Sequence, residues 1–171
     1  MSSTEIITSP QNQYIQLVRG LLEQSKLRRK RQSFVAEGAR LLEDGIDSEL
    51  ALQFALYKSD LSPRAAQVLK LLPPLVPAFL VESRLFEQLS DTETSQGILA
   101  VFSIPNPAPP SRPDFLVLLD QVRDPGNVGT ILRTAEAAGA QAVILAPGTV
   151  DAWSPKVVRS GMGSHFRLPI L

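Results

Sequence analysis

Between residues 104 and 113 the chain reads Ile-Pro-Asn-Pro-Ala-Pro-Pro-Ser-Arg-Pro, which holds five of its 14 prolines. A proline has no amide N–H to donate and a fixed φ, so this stretch can join neither a strand ladder nor a helix interior. It reads as a stiff linker, and folding is left to the residues on either side. Two α/β units are therefore expected, 1–103 and 114–171, with 104–113 between them. With no cysteine, disulfides, thiolate zinc sites and thiol nucleophiles are excluded. A lone histidine, His165, cannot build a His-rich metal site, so no metal is expected. A chain 44% apolar and 20% charged should fold rather than stay disordered. No run approaches the roughly 18 apolar residues of a membrane span, so no membrane partner is expected. Met1 to Gln13 lacks the basic and apolar regions of a signal peptide, and a cytoplasmic protein is expected.

Periodicity outlines the first unit. Ser9-Pro10 reads as a helix start, and Tyr14, Leu17, Val18, Leu21 and Leu22 recur at helical spacing, which predicts one helix over 10–30. Ser33 to Glu37, Leu52 to Tyr57, Val76 to Val81 and Ile98 to Phe102 read as strands. Short helices are expected at Arg40 to Gly45, at Ala65 to Leu72 after Ser62-Pro63, and at Ser83 to Leu89. Strands alternating with helices predict a largely parallel sheet.

The net charge of zero hides an asymmetry. Residues 19–40 carry seven bases against two acids, and residues 41–100 carry four bases against nine acids. The positive charge concentrates in Lys26, Arg28, Arg29, Lys30 and Arg31. Such a run attracts a polyanion through ion pairing and counterion release. A solvated helix end, where bases suit the negative pole of the dipole, is the alternative.

The second unit opens on a continuous apolar strand, Phe115 to Leu119, of the kind buried on both faces. A loop from Asp120 to Gly126 follows, and then a helix with Val128, Ile131, Leu132, Ala135 and Ala138 inward, ended by Gly139. Ala142 to Ala146 is the next buried strand. Polar residues at the carboxyl end of a parallel strand mark the usual ligand position of α/β sheets. Gly126 and Gly129 allow backbone to approach a ligand, Asn127 falls at the N-cap, and Arg133 lies off the apolar stripe. A helix start beside an arginine suits a phosphate, although glycine and asparagine there also serve ordinary helix initiation. Further on, Ser154-Pro155 starts a short helix, Lys156, Arg159 and Arg167 add positive charge, and the Gly161-Met162-Gly163 turn leads to a final strand. Trp153 is read as a packing residue, with base stacking as the alternative. His165 is read as a structural hydrogen-bond donor rather than a catalyst, since no nucleophile elbow accompanies it.

Together these segments resemble the SpoU (TrmH) family of RNA 2′-O-ribose methyltransferases. The run Asp-x-x-x-Asp-Pro-x-Asn-x-Gly-x-x-x-Arg-Thr-Ala over 120–135 looks like that family's first signature motif. Pro155 to Ser164 is similar to the stretch that follows it, and Phe34 to Gly38 and Ser95 to Ala100 look like the preceding substrate-binding domain. The resemblance implies an L30e-like α/β substrate-binding domain, then a SPOUT catalytic domain with a trefoil knot. It implies S-adenosylmethionine as methyl donor, a structured RNA (tRNA or rRNA) as acceptor, and a homodimer whose active site uses both protomers. It places Arg133 at the acceptor ribose and Asn127 in the active site. Lys26, Arg28, Arg29, Lys30, Arg31, Lys156 and Arg159 are the expected RNA contacts.

The family's Gly-Glu loop and its Ser-Leu-Asn-Val-Ser-Val-Ala-like run do not occur in these 171 residues. They form the knot and hold the donor, so 114–171 is expected to be the first part of a methyltransferase domain with the knot region missing, and the chain alone is expected to be inactive. The competing readings are a non-catalytic RNA-binding module built on 1–103 and, more weakly, a small nucleotide-binding β-α-β protein. The last lacks a phosphate-loop or Gly-x-Gly-x-x-Gly fingerprint.

Overall fold

The structure is a computed structural model that describes residues 6–48, 50–90 and 95–171. Residues 1–5, part of the N-terminal stretch read above for a signal, lie outside the described residues. The chain divides into two compact units, Met1–Ser103 and Ile104–Leu171.

The first unit runs α1 (Gln13–Glu23), α2 (Ser25–Arg31), β1 (Ser33–Glu37), α3 (Ala39–Asp47), β2 (Leu52–Tyr57), α4 (Pro63–Leu71), β3 (Ala78–Leu80), α5 (Ser83–Glu87) and β4 (Ile98–Ser103). The predicted helix over 10–30 is two helices. Ser9 forms a turn, its carbonyl accepting from the Asn12 amide at 3.1 Å, and Asn12 rather than Ser9 caps α1. Gln24 then turns extended (φ −118°, ψ 109°). Hydrophobic register explains the break. The next apolar residue after Leu22 is Leu27, five positions on, which a straight helix would carry off the buried stripe.

The sheet is mixed rather than largely parallel, in the order β1-β4-β2-β3. β4 pairs antiparallel with both β1 and β2, and only β2–β3 is parallel. The most apolar strand takes the centre: Ile98, Leu99, Ala100, Val101 and Phe102 are all fully buried. Alternation along the strands feeds both faces. Val35, Phe54, Leu56, Leu99 and Val101 pack with Ile15, Val18 and Leu21 of α1 and with Leu85 and Phe86 of α5. The intervening Phe34, Ala36, Ala55, Ala100 and Phe102 are buried too, with the Phe34 and Phe102 rings stacked at 5.8 Å.

The second unit runs β5 (Leu116–Leu119), α6 (Pro125–Ala137), β6 (Ala142–Leu145), α7 (Pro155–Gly161) and a 3-10 turn (Ser164–Phe166). β5 and β6 are parallel in register from Leu116–Ala142 to Leu119–Leu145. The final strand expected after Gly163 is reduced to a parallel bridge of Ile170 to Val143. The expectation that Phe115 to Leu119 is buried on both faces is also corrected. Val117 and Leu119 pack with Val128, Leu132, Val143 and Leu168. Leu116 and Leu118 are exposed, because α6 and α7 supply cover for one face only, and Phe115, just ahead of the strand, is exposed as well.

Candidate active site

The carboxyl ends of β5 and β6 are tied together by their loops. The Ala146 amide donates to the Leu119 carbonyl at 2.9 Å, the Thr149 hydroxyl to the same carbonyl at 3.0 Å, and the Val150 amide to the Val122 carbonyl at 3.0 Å. From this base α6 rises. Its N-cap is Asp124, whose carboxylate accepts from the Asn127 amide at 2.7 Å, and Pro125 occupies the first turn. Asn127 is thus not the cap but the third residue of the helix. The Asp-Pro pair carried that signal in the sequence.

The correction changes what Asn127 is for. Its side-chain amide is exposed and takes no part in capping. Arg133 is exposed on the same helix, and among the described residues no carboxylate pairs with it. At about 100° and 1.5 Å per residue, the two side chains leave α6 about 120° and 9 Å apart. Thr130, also exposed, stands between them. The arc opposite holds Val128, Leu132 and Ala135 in the core.

Gly129, read as room for a ligand, serves a helix crossing instead. A Cβ there would lie 1.8 Å from Ser160 Oγ and 2.8 Å from the Gly161 nitrogen. Ser160 fills the contact, its hydroxyl donating to the Lys156 carbonyl at 2.8 Å and reaching the Pro125 carbonyl at 3.2 Å. Gly129 and the Ser160-Gly161 pair therefore set how closely α7 approaches the helix that carries Asn127 and Arg133.

His165 is a structural donor. Its Nε2–H donates to the Ala152 carbonyl at 2.8 Å, and burial pushes its pKa down to about 4, against weaker opposing effects of that bond and of Asp151 and Glu136. It is neutral and enclosed, with the Trp153 ring edge-on at 5.3 Å. Asp151 accepts from the Trp153 amide at 3.0 Å. Trp153 is partly buried, as the packing reading requires. Arg167 pairs with Glu136 through Nε and, at 3.4 Å, through a terminal nitrogen. Lys156 and Arg159 are exposed on α7.

In the first unit, Lys26, Arg29, Lys30 and Arg31 are exposed on α2. Arg28 is not. It is buried, and its Nη1 donates to the Leu21 and Leu22 carbonyls at the end of α1. The sequence run therefore presents four cations to solvent rather than five. No group of three or more potential ligands for a metal ion occurs among the described residues.

Comparison with known proteins fits this layout. Residues 114–171 match the SpoU rRNA Methylase family, and residues 12–100 match the MRM3-like substrate binding domain. The chain is 38% identical over 164 residues to the mitochondrial rRNA methyltransferase 3 of Xenopus laevis, covering 88% of this chain and 38% of that protein. It is 35% identical over 150 residues to the 23S rRNA (guanosine(2553)-2′-O)-methyltransferase RlmP of Bacillus subtilis, covering 88% and 58%. It superposes with a TM-score of 0.84 and 30% identity on the SpoU methyltransferase AviRb of Streptomyces viridochromogenes in complex with AdoMet, over 94% of this chain and 62% of that one. The chain thus spans less than two thirds of each of these relatives.

S-adenosylmethionine is the cofactor of the family. The polar groups of the strand-end loops named above are paired with one another, and the buried polar atoms without a partner, Ser154 Oγ, Ser164 Oγ and His165 Nδ1, are closed off from solvent. The α/β architecture, the substrate-binding domain and the motif-bearing helix agree with one assignment: the chain belongs to the SpoU rRNA methylase family.

Proposed function

We propose that this chain holds RNA and positions the acceptor sugar in an S-adenosylmethionine-dependent rRNA 2′-O-ribose methyltransferase. The observation that carries the reading is the pair on α6. An asparagine amide and an arginine guanidinium stand exposed on the helix that follows β5, while capping is done by Asp124. A ribose 2′-hydroxyl is a weak acid and must be fixed in line before it can accept a methyl group. Arg133 is not suited to be the base, because a guanidinium carries donors only and no acceptor for the proton. Its fork instead suits the ribose and its adjacent phosphate, and the proton passes to a phosphate or to solvent. Asn127 offers both a donor and an acceptor to the same sugar. Lys26, Arg29, Lys30 and Arg31, with Lys156 and Arg159 on α7, supply charge for the RNA backbone. A homodimer completes the proposal, supported by the resemblance to the family.

Methyl incorporation into a ribosomal RNA fragment tests this, using Arg133→Ala and Arg133→Lys in the protein that carries this chain. Both variants are expected to lose about 100-fold or more in turnover, since misplacing a reactant by an ångström costs that much. Near-normal turnover in the lysine variant would remove the bidentate role.

A second reading is a non-catalytic RNA-binding module built on 1–103, favoured by the exposed Lys26, Arg29, Lys30 and Arg31 of α2. For the 171-residue chain alone it predicts salt-dependent RNA binding and no saturable heat on titration with S-adenosylmethionine. Saturable donor binding would defeat it.

A further inference from the structure

We propose that Arg28 is the positioning residue of the RNA face on α2, holding that helix against the end of α1; the proposal rests on the RNA reading above. α2 is seven residues long, carries five cations and no acid, and has Leu27 as its one apolar side chain. Helices shorter than about 12 residues are marginal in water, and like charges four apart, as in Lys26 and Lys30, destabilise them further. Something outside α2 must hold it.

The structure shows what does. The last carbonyls of α1 have no partner within that helix. The Arg28 guanidinium, 4% exposed, turns back over the extended residue Gln24 and donates to two of them, those of Leu21 and, at 3.2 Å, Leu22. The elbow is tight. A Cβ on Gly20 would lie 2.5 Å from the end of the Leu27 side chain, which would have to turn aside to make room. The other end is also fixed. Gln32 adopts a left-handed conformation (φ 49°) and its side chain donates to the Arg29 carbonyl at 2.8 Å, while the Ser33 hydroxyl donates to the Arg31 carbonyl at 2.9 Å. Lys26, Arg29 and Lys30, at positions i, i+3 and i+4, are left on one outward face. A face fixed before binding loses less conformational entropy when it meets phosphates than the same side chains on a frayed segment.

Arg28 thus contributes to affinity without touching RNA, and counterion release separates the two roles. Each phosphate contact adds about 0.7 to 0.9 to the slope of log Kd against log salt. The 171-residue chain is titrated against a fluorescein-labelled rRNA hairpin at several salt concentrations, with amide hydrogen exchange followed in parallel. Lys30→Gln is expected to lower the slope by about one contact. Arg28→Gln is expected to weaken binding about tenfold at an unchanged slope and to speed exchange across residues 25–31. Arg28→Lys, which keeps one donor for the carbonyls, should recover most of the affinity and provides the test if the glutamine variant fails to fold. A slope loss in Arg28→Gln equal to that of Lys30→Gln, or unchanged affinity in both Arg28 variants, overturns the positioning role and leaves the RNA face standing. Unchanged binding in a Lys30→Gln, Arg31→Gln double variant overturns the RNA reading of α2 itself.

Discussion

β4 and β5 are both unbroken apolar runs, yet they end in opposite surroundings. Ile98 to Phe102 is sealed on both sides, flanked by β1 and β2 and covered by helices above and below. Leu116 to Leu119 has β6 as its neighbour and helices on one face, so Leu118 stays 64% exposed. An apolar run records the surroundings a strand is suited to. The number of neighbours around it decides how much of that is realised, and apolar surface left in water contributes nothing to stability.

The contrast can be broken most directly at its centre. Phe102→Ala should cost about 3–5 kcal/mol in denaturant unfolding, whereas Leu118→Ala should stay within about 0.5 kcal/mol. Equal costs would mean that the two strands are equally covered. The next largest effect is expected from His165. Its pKa is about 4 when folded, against an ordinary 6.5. Between those values the unfolded chain binds a proton that the folded chain refuses, so the contribution is complete above about pH 6.5 and fades as pH falls toward 4. The window is worth about 3 kcal/mol, confined to the second unit. His165→Gln, which keeps a donor for Ala152, should flatten the pH profile of unfolding there and leave the first unit's profile unaltered.

Gly129→Ala should follow, at about 1–3 kcal/mol, because the added methyl meets Ser160 and the Gly161 backbone. The same chemical change at exposed Gly139, where a Cβ meets nothing within 4 Å, carries no overlap cost, although its φ of 79° adds strain. Comparing their melting curves isolates the helix crossing. Smallest is the pair at the start of α6. Asp124→Ala should lose about 1 kcal/mol of stability as a lost cap, and Asn127→Ala almost none. If Asn127→Ala proves the more destabilising, its amide has a structural duty and the site reading weakens.

Much of this was legible in sequence. Ser62-Pro63 and Ser154-Pro155 signal helix starts, and α4 and α7 begin there. Asp124-Pro125 is the same signal, and taking it as loop shifts the expected cap to Asn127, whereas Asp124 caps α6. Ser9-Pro10 carries the same signal but forms a turn just ahead of the Asn12 cap. Gly129 lies 31 positions from Ser160 and 32 from Gly161, so only packing could reveal that they meet. The burial of Arg28 was hidden because one arginine in a basic run looks like the next.

The sequence alone determined the composition limits, most of the strands and helices, and the family motif, since periodicity, capping and proline chemistry act over a few residues. Tertiary structure decided the strand order, the inward turn of Arg28 and the crossing of α6 with α7. The reason is physical: which strand takes the centre, and which polar group meets an orphaned carbonyl, depend on groups distant in the chain competing for the same buried space and hydrogen bonds.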